Sequence, residues 1–345
     1  NLGSINLSRF VEKGFTPEAS IDWDQLAEST ETLVRFLDNV VTWNEDLNAL
    51  EKQRVAASET RRLGLGVMGI ADMLNQLGVA YDSEQGTIMI EKVMEYITNA
   101  AYQASSFIAK EKSPSRIFNE KSYMECPFVK EALSEQTHSV IRKNGLRNIA
   151  IMSIAPTGSI SNIVLGYRSE TKNYIGVSGG VEPIFSVFYT RRSESFGNKF
   201  FKVFHSTVQA YIDKMGIQDE VDKAEDVDKA LPEYLTRTAH KIDSGKRVNI
   251  QGVIQRYIDH SISSTINLPE DVNPETISDI YIKAWKNNLK GLTVYRDGSR
   301  FPILSVEKKM TEYQKMKTKS FSVMQENGET IDMSGDDIFK LPDGR

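Results

Sequence analysis

Apolar residues recur every three or four positions in three stretches of the chain, and this spacing predicts three amphipathic helices. The predicted helices cover about Asp22–Val41, Asp82–Lys110 and Asn273–Gly291. Asp22 and Gln25 form a capping pair for the first helix, and Pro274 suits the first turn of the third. The positions that we expect to face the core are Leu26, Leu33, Phe36, Leu37, Val40 and Val41, then Ile90, Val93, Ile97, Ala101 and Ala104, and finally Ile277, Ile280, Tyr281 and Ala284.

Short apolar runs without a polar face lie between these helices and are typical of buried strands. The four runs are Asn148–Ile154, Ile184–Tyr189, Ile262–Leu268 and Leu292–Tyr295. Short strands that alternate with helices of this length predict an α/β fold with buried strands.

The chain changes character after Arg300. Residues Glu307–Lys319 are rich in lysine and have little apolar periodicity, and Ser320–Arg345 is polar and acidic. This composition predicts a solvated, loosely structured tail rather than a binding arm.

Length and charge exclude some classes of protein. A chain of 345 residues hides about three quarters of its unfolded surface, which is enough for a sizeable core. The formal net charge of −5 argues against a protein that coats nucleic acid, but it is compatible with a small phosphorylated ligand. Because no apolar run reaches about 18 residues, we expect no membrane-spanning helix and no membrane partner.

Cysteine and histidine usage excludes further kinds of site. Cys126 is the only cysteine, so a disulfide framework and a thiolate zinc site are excluded, and a reducing, cytoplasmic location is expected. The four histidines have no metal-binding spacing, so no metal site is predicted; they are His138, His205, His240 and His260. The sequence begins at Asn1 without an initiator methionine, which indicates either processing or a piece of a longer protein.

The segment Gly64–Gly69 (GLGVMG) matches the G-x-G-x-x-G dinucleotide fingerprint. That fingerprint needs a buried strand directly before it and an acidic residue after the next strand. The preceding residues Glu59–Leu63 do not form an apolar run, and Asp82 lies where a helix is expected to begin. We therefore interpret the glycines as positions that let a strand pack closely against a helix over Ile70–Leu77.

The segment Ala155–Ser161 (APTGSIS) follows directly on a predicted strand, and Pro156 with Gly158 predicts a tight turn. Its three hydroxyl side chains stand beside the free amides of an expected helix start: Thr157, Ser159 and Ser161. A strand followed by a turn and a helix start is a natural anion site, because unpaired amides and the helix dipole both favour phosphate. From these residues alone, an ordinary capped helix is the simpler alternative.

Two other side chains have a functional and a structural interpretation. Glu182, within Ser178–Pro183 (SGGVEP), is either a buried carboxylate near the phosphate site or a turn cap. Tyr295, at the end of a predicted strand, either reaches a ligand or belongs to the core, and we favour the core.

Several segments, taken together and in order, resemble the catalytic subunit of ribonucleotide reductase. They are Asn1–Leu7 (NLGSINL), Phe36–Asn44 (FLDNVVTWN), Arg61–Leu74 (RRLGLGVMGIADML), Asn148–Ser161 (NIAIMSIAPTGSIS), Ser178–Arg192 (SGGVEPIFSVFYTRR), Ser263–Pro269 (SSTINLP) and Gly291–Arg300 (GLTVYRDGSR). The resemblance extends over roughly residues 1–305, and the nearest pattern is that of the class II, adenosylcobalamin-dependent enzyme.

The resemblance implies a ten-stranded α/β barrel made of two five-stranded halves. Residues 1–305 would form the second half of that barrel, and residues 306–345 a polar, partly disordered tail. In the family, the radical cysteine, the redox cysteines and the effector site precede the stretch that resembles Asn1–Ser4, and the tail often ends in C-x-x-C. None of these is present here, so the resemblance implies a fragment that is inactive alone and contains no catalytic residue.

The implied reaction is the reduction of ribonucleoside diphosphates to 2′-deoxyribonucleotides for DNA synthesis by a cobalamin-initiated thiyl radical. Five residues match the loop that binds the substrate phosphates in the family: Pro156, Thr157, Gly158, Ser159 and Ile160. The implied cofactor is adenosylcobalamin. The implied partners are a thioredoxin-type reductant, dNTP and ATP effectors at sites upstream of this chain, and a second copy in a homodimer, without direct contact to nucleic acid.

Two alternatives remain open at this point. A class I large subunit would carry two adjacent tyrosines at Tyr295, but the next residue is Arg296, which favours locally generated radical chemistry. A non-catalytic nucleotide- or phosphate-binding module is the alternative from another class. The segment Gly166–Val177 is longer than the common family pattern, and its effect is not predicted.

Overall fold

The computed structural model describes residues 1–193, 199–299, 320–324 and 330–334. The helices are α1 (Trp23–Trp43), α2 (Glu51–Thr60), α3 (Ile70–Gln76), α4 (Glu84–Lys112), α5 (Glu120–Met124), α6 (Pro127–Ala132), α7 (Glu135–Asn144), α8 (Ser206–Met215), α9 (Gln218–Lys223), α10 (Val227–Ala230), α11 (Glu233–Thr236), α12 (Ser244–Gln255) and α13 (Pro274–Lys286). Single 3₁₀ turns are formed by Leu7–Phe10 and Ile160–Asn162. Among the described residues, no helix meets the length and hydrophobicity that a membrane span requires.

The strands are short. They are β1 (Gly3–Asn6), β2 (Val11–Glu12), β3 (Ser20–Ile21), β4 (Leu65–Met68), β5 (Leu165–Arg168), β6 (Asn173–Ile175), β7 (Phe188–Ser193), β8 (Lys199–Phe204), β9 (Thr265–Leu268), β10 (Thr293–Arg296), β11 (Ser320–Met324) and β12 (Thr330–Ser334). Within the described ranges, antiparallel pairs are formed by β2 with β3, β5 with β6, β7 with β8, and β11 with β12.

Five parallel segments lie side by side at the centre of the fold. Their order is β1, β4, residues 150–154, residues 261–268 and β10. The amide of Leu65 donates to the carbonyl of Ile151 at 2.8 Å, and the amide of Ser263 donates to the carbonyl of Ile154 at 2.8 Å. These bonds join the two outer pairs through the central segment. Within the described residues the segments do not close into a barrel, and β1 and β10 are the outer members.

Helices pack against the parallel segments, with α1 on β1 and α12 on β9, and burial is deepest at β4. All residues of β4 are buried. Side chains from β4, from residues 150–154 and from α4 belong to one core, which includes Leu65, Val67, Ile90, Ile97 and Ile151. The α/β prediction is confirmed at this level, but burial of the strands holds for β4 and not for β10, which is half-buried or exposed.

The three predicted helices form close to their expected bounds. Asp22 caps α1 by accepting from the amide of Gln25 at 3.0 Å, and Asn273 caps α13. Two of the inward positions are wrong, since Phe36 is 55% and Tyr281 48% exposed. Helix α13 also ends at Lys286, well before Gly291.

The strand predictions hold only in part. Residues 150–154 contribute only isolated bridges because the side chain of Asp259 accepts from the amides of Ile151 and Met152, at 2.8 and 3.1 Å. Residues 184–187 form no strand, since their carbonyls accept from Ala239 and His205 instead of a ladder partner. Strand β1 was not predicted, whereas β4 and α3 are the strand and the helix that were expected at the glycines of GLGVMG. The glycines of GLGVMG lie within and beside β4, where a Cβ on Gly66 would meet the carbonyl oxygen of Ser153, so they bring two strands together rather than a strand and a helix.

The expectation of a loosely structured tail stays a prediction, and the described part of the tail contains two strands. Strands β11 and β12 pair antiparallel, with Phe321 opposite Met333, so this part of the tail has regular structure. The proposed boundary at residue 305 lies outside the described residues.

Candidate functional site

The carboxyl ends of the five parallel segments meet at one edge of the fold. Asn6 ends β1, Gly69 follows β4, Ala155 follows the central segment, and Asp297 follows β10. In open parallel sheets this edge is where ligands usually bind, because the connecting loops converge there. The segment Ala155–Ser161 therefore lies in the middle of the edge that is most suited to a ligand.

The loop after the central segment presents unpaired backbone amides. Among the described residues, the amides of Gly158, Ser159 and Ile160 donate to no acceptor, and all three residues are exposed. The predicted helix start is wrong, because only the 3₁₀ turn Ile160–Asn162 follows. A single turn has little helix dipole, so an anion here would be held mainly by the amides themselves.

Thr157 faces the interior rather than the loop surface. It is 7% exposed and has a φ of 55°, a left-handed conformation that a β-branched residue rarely adopts. Its hydroxyl oxygen accepts from the amide of Gly180 at 2.8 Å, and its carbonyl accepts from the amide of Ser161 at 2.9 Å. These two bonds offset the backbone strain and fix the start of the loop.

The neighbouring segment Ser178–Glu182 touches the loop through backbone atoms. A Cβ on Gly179 would lie 2.7 Å from the carbonyl oxygen of Pro156, and a Cβ on Gly180 would lie 2.8 Å from that of Ala155. Only glycine permits this approach without a shift. The two glycines thus have a packing role, which a Gly-Gly pair in the sequence could have signalled.

Asp72 anchors the other end of that segment. It is fully buried in the first turn of α3 and accepts from the amide and the hydroxyl of Ser178, both at 2.7 Å. It also accepts from the hydroxyl of Thr207, at the start of α8. One carboxylate therefore joins β4, through α3, to the segment that supports the loop.

Glu182 lies beside the same edge, where its backbone takes part in a turn and its carboxylate in an ion pair. Its amide donates to the carbonyl of Gly179 at 2.8 Å in a tight turn. Its carboxylate accepts from the amide of Thr265 at 2.7 Å and from the guanidinium of Arg247, and it remains 28% exposed. Burial raises the pKa of Glu182, against the opposing effects of Arg247 and the Thr265 amide.

Arg247 could not have been selected from the sequence, since it lies inside α12 without a motif. It is 4% exposed, and its Nη1 donates to the hydroxyl of Tyr81 at 2.7 Å and to the carbonyl of Val181 at 3.2 Å. Burial raises the pKa of Tyr81 to about 12, so the hydroxyl keeps its proton and donates to Val181.

The long segment Gly166–Val177 forms the hairpin β5–β6 directly after the loop. The side-chain amide of Asn6 donates to the carbonyl of Leu165 at 2.8 Å, and the amide of Val177 donates to Ser161 at 2.9 Å. The hairpin therefore connects the loop to the end of β1. Tyr295 is half-buried within β10, and Cys126 is exposed directly before α6.

Comparison with known proteins identifies the family. The profile of "Ribonucleotide reductase, barrel domain" matches residues 1–295. The chain belongs to this family. A solved ribonucleotide reductase, the class Id alpha subunit of Actinobacillus ureae, superposes with a TM-score of 0.60 at 20% identity, covering 85% of this chain and 48% of that one. At that identity the likeness supports the fold alone, and it agrees with the parallel arrangement described above.

Two curated relatives within the ribonucleotide reductases are named as vitamin B12-dependent ribonucleoside-diphosphate reductases. The protein of Mycobacterium tuberculosis (strain CDC 1551 / Oshkosh) is 32% identical over 312 residues, covering 87% of this chain and 39% of that protein. The protein of Thermoplasma acidophilum is 33% identical over 313 residues, covering 87% of this chain and 36% of that protein. The chain thus spans less than two fifths of the length of either relative.

Proposed function

We propose that this chain is the substrate-phosphate-binding half of a ribonucleoside-diphosphate reductase that uses adenosylcobalamin. It would form the second five-stranded half of a ten-stranded barrel and bind the diphosphate of the ribonucleotide through residues 156–160. The names of the two relatives support the reaction and the cofactor. The order of the five parallel segments supports the half-barrel.

The single observation that carries the phosphate site is the set of free amides at Gly158, Ser159 and Ile160. Consecutive amides form a concave donor surface that suits phosphate oxygens. The hydroxyl of Ser159, on an exposed residue, can add a further donor. Thr157 contributes differently from the other predicted residues, because its hydroxyl supports the loop from behind through Gly180.

Phosphate binding by this loop would place the ribose for reaction. Holding the diphosphate fixes one end of the nucleotide, so the 2′-hydroxyl is presented in one orientation and the reacting groups avoid the entropy of a search. Cys126 is this chain's only cysteine and lies on the surface, so the cysteines that reduce the ribose belong to other parts of the protein.

The residues near the loop fit the proposed cofactor. Adenosylcobalamin carries its cobalt inside a corrin ring, so it needs apolar surface beside polar donors rather than a cluster of protein metal ligands. Ile160 and Ile163 are 44% and 74% exposed next to the free amides and provide such surface. When bound, the cofactor supplies the radical that starts the reduction.

Substitution of Gly158 tests the phosphate site in the full-length reductase. A Cβ on Gly158 meets no atom within 4 Å, so Gly158→Val should fold normally while its side chain blocks the space beside the free amides. We expect KM for ADP to rise by about tenfold or more with a smaller change in kcat, because ground-state binding is lost. Gly291→Val is the matched control, since a Cβ there also meets no atom within 4 Å and Gly291 precedes β10, two parallel segments away from the loop. An unchanged KM in Gly158→Val would remove the loop from the site.

Activity assays on the full-length wild-type protein distinguish the proposed function from its two alternatives. Reduction of ADP with adenosylcobalamin and no second subunit supports the proposal. A requirement for a metal-containing second subunit would identify a class I large subunit instead. Binding of ADP without turnover under either condition would indicate a non-catalytic nucleotide-binding protein. The thioredoxin-type reductant, the nucleotide effectors and the homodimer stay predictions.

A further inference from the structure

We propose that Glu182, held by Arg247, is a positioning residue that sets the conformation of the phosphate-binding loop. This inference rests on the proposed function, because it assigns to a residue outside the loop a share in phosphate binding. Glu182 does not belong to the predicted loop 156–160, and it acts on the loop through two sets of contacts that meet at Gly179 and Gly180.

The first contact is between the loop and Gly179–Gly180. The amide of Gly180 donates to the hydroxyl oxygen of Thr157, and the Gly179 backbone lies against the carbonyl oxygen of Pro156. Because Thr157 has a φ of 55°, the loop has a local tendency to relax toward a more usual conformation. The glycine segment opposes that relaxation only if it is itself fixed.

The second contact fixes the glycine segment. Glu182 closes the turn by donating its amide to the carbonyl of Gly179 at 2.8 Å. Its carboxylate is held from two sides, by the amide of Thr265 at 2.7 Å and by the guanidinium of Arg247. The turn is therefore tied to β9 and to α12, which are both parts of the packed core.

The guanidinium of Arg247 forms an ion pair with the carboxylate of Glu182. Within the described residues, Glu182 is the one acidic side chain that forms an ion pair with Arg247. The guanidinium of Arg247 also donates to uncharged acceptors, namely the hydroxyls of Tyr81 and Ser264 and the carbonyls of Val181 and Thr265. Because Arg247 is 4% exposed, removing the charge of Glu182 would leave a buried cation without its partner.

The test uses Glu182→Gln in the full-length reductase. The glutamine keeps the shape and can still accept from Thr265, but its amide group would face the donors of Arg247. We expect KM for ADP and the inhibition constant of inorganic pyrophosphate to rise together by about fivefold or more, with kcat changed less than about twofold. A purely structural role would lower thermal stability without this parallel change in two phosphate-dependent constants.

Asp38→Asn is the matched control. Asp38 is also a buried carboxylate paired with a buried arginine, at 2.9 Å from Nε of Arg61, but it lies before the start of β4, at the opposite edge. It should lower stability and leave both constants unchanged. Arg247→Lys, which keeps the charge but loses the contact with Tyr81, should shift both constants in the same direction if Glu182→Gln does not fold.

Coupling to Thr157 completes the test. Because Glu182 and Thr157 act on the same loop, the KM effects of Glu182→Gln and Thr157→Val should not add in the double variant. Additive effects, or a Glu182→Gln protein with normal KM and normal pyrophosphate inhibition, would overturn this inference and leave the phosphate site standing. If the wild-type protein shows no inhibition by pyrophosphate and Gly158→Val has no effect, the proposed function fails and this inference with it.

Discussion

The hydroxyl oxygen of Thr157 accepts a hydrogen bond from the amide of Gly180 across 2.8 Å, while the backbone of Thr157 has a φ of 55°. A strained residue is thus stabilised by a segment more than twenty positions further along the chain. The bond is buried, so neither partner can exchange it freely for water.

Replacing Thr157 with valine should measure how much that hydrogen bond contributes to the stability of the fold. Valine keeps the β-branched shape and the backbone strain but leaves the Gly180 amide without an acceptor, which should lower the free energy of unfolding by about 1–3 kcal/mol. Thr157→Ser keeps the hydroxyl and should stay within about 0.5 kcal/mol of the wild type. Urea unfolding of the three proteins checks this, and equal stability of the valine and serine variants would contradict it.

Gly179 and Gly180 should tolerate an added side chain far less well than Gly158. Gly179→Ala and Gly180→Ala place a Cβ 2.7 and 2.8 Å from carbonyl oxygens, so the loop or the segment must shift. We expect each to lose about 1–3 kcal/mol of stability from this overpacking, whereas Gly158→Ala should be neutral. Thermal unfolding distinguishes them, and a neutral Gly179→Ala would show that the two segments do not touch as described.

Asp72→Asn should be strongly destabilising. Asp72 is fully buried and accepts three hydrogen bonds, from the amide and hydroxyl of Ser178 and from Thr207. The NH₂ group of an asparagine would face at least one of these three donor groups and could not accept from it. We expect this to lower the free energy of unfolding by a value on the order of 2–4 kcal/mol. Asp22→Asn is the control, since asparagine caps a helix as well as aspartate does. Similar urea midpoints for the two variants would refute this expectation.

Asp82 should make stability depend on pH. Burial by itself would raise the pKa of Asp82, but hydrogen bonds and charge from Arg237, with Lys246, outweigh burial and leave the pKa below its ordinary value. The ionised carboxylate therefore stabilises the fold above the unfolded-state pKa of about 4, and this contribution is lost as the pH falls through the lower folded-state value.

The corresponding measurement compares the wild type with Asp82→Asn. The difference in their free energies of unfolding should be constant above about pH 4 and should shrink as the pH falls below it. A difference that stays constant down to about pH 2 would show that Asp82 is not held in its ionised form.

Cys126 should be dispensable. The thiol is exposed at the start of α6, so iodoacetamide should label it in the folded protein. Cys126→Ser should change stability by less than about 0.5 kcal/mol and leave ADP reduction by the full-length reductase unchanged. Loss of turnover in this variant would give Cys126 a role that the proposed function does not contain.

The helices were predictable because their signals are local. Asp22, Ser83 and Asn273 cap the three predicted helices through bonds to amides two or three residues away. The inward positions of Phe36 and Tyr281 were wrong because a helical face is wider than the part that a neighbour covers.

The sheet and the loop were less predictable because distant residues shape them. The amides of residues 151 and 152 bind the side chain of Asp259, which lies more than a hundred positions away along the chain. No local sequence pattern predicts that contact. The segment after Ile154 suggested an anion site, but its turn is shaped by Gly179 and Gly180 rather than by a following helix. The residues of the loop were therefore easier to find than the side chains behind it.

The unpaired amides of Gly158, Ser159 and Ile160 have a consequence for natural variation at this site. A ligand bound by main-chain groups is indifferent to most side chains at the positions that touch it, so related chains are free to differ at 159 and 160. Selection should instead act most strongly on Thr157, Gly179 and Gly180, where an altered side chain would move the main chain. Under the proposed function, the positions that change least among homologues should therefore be those that do not touch the nucleotide.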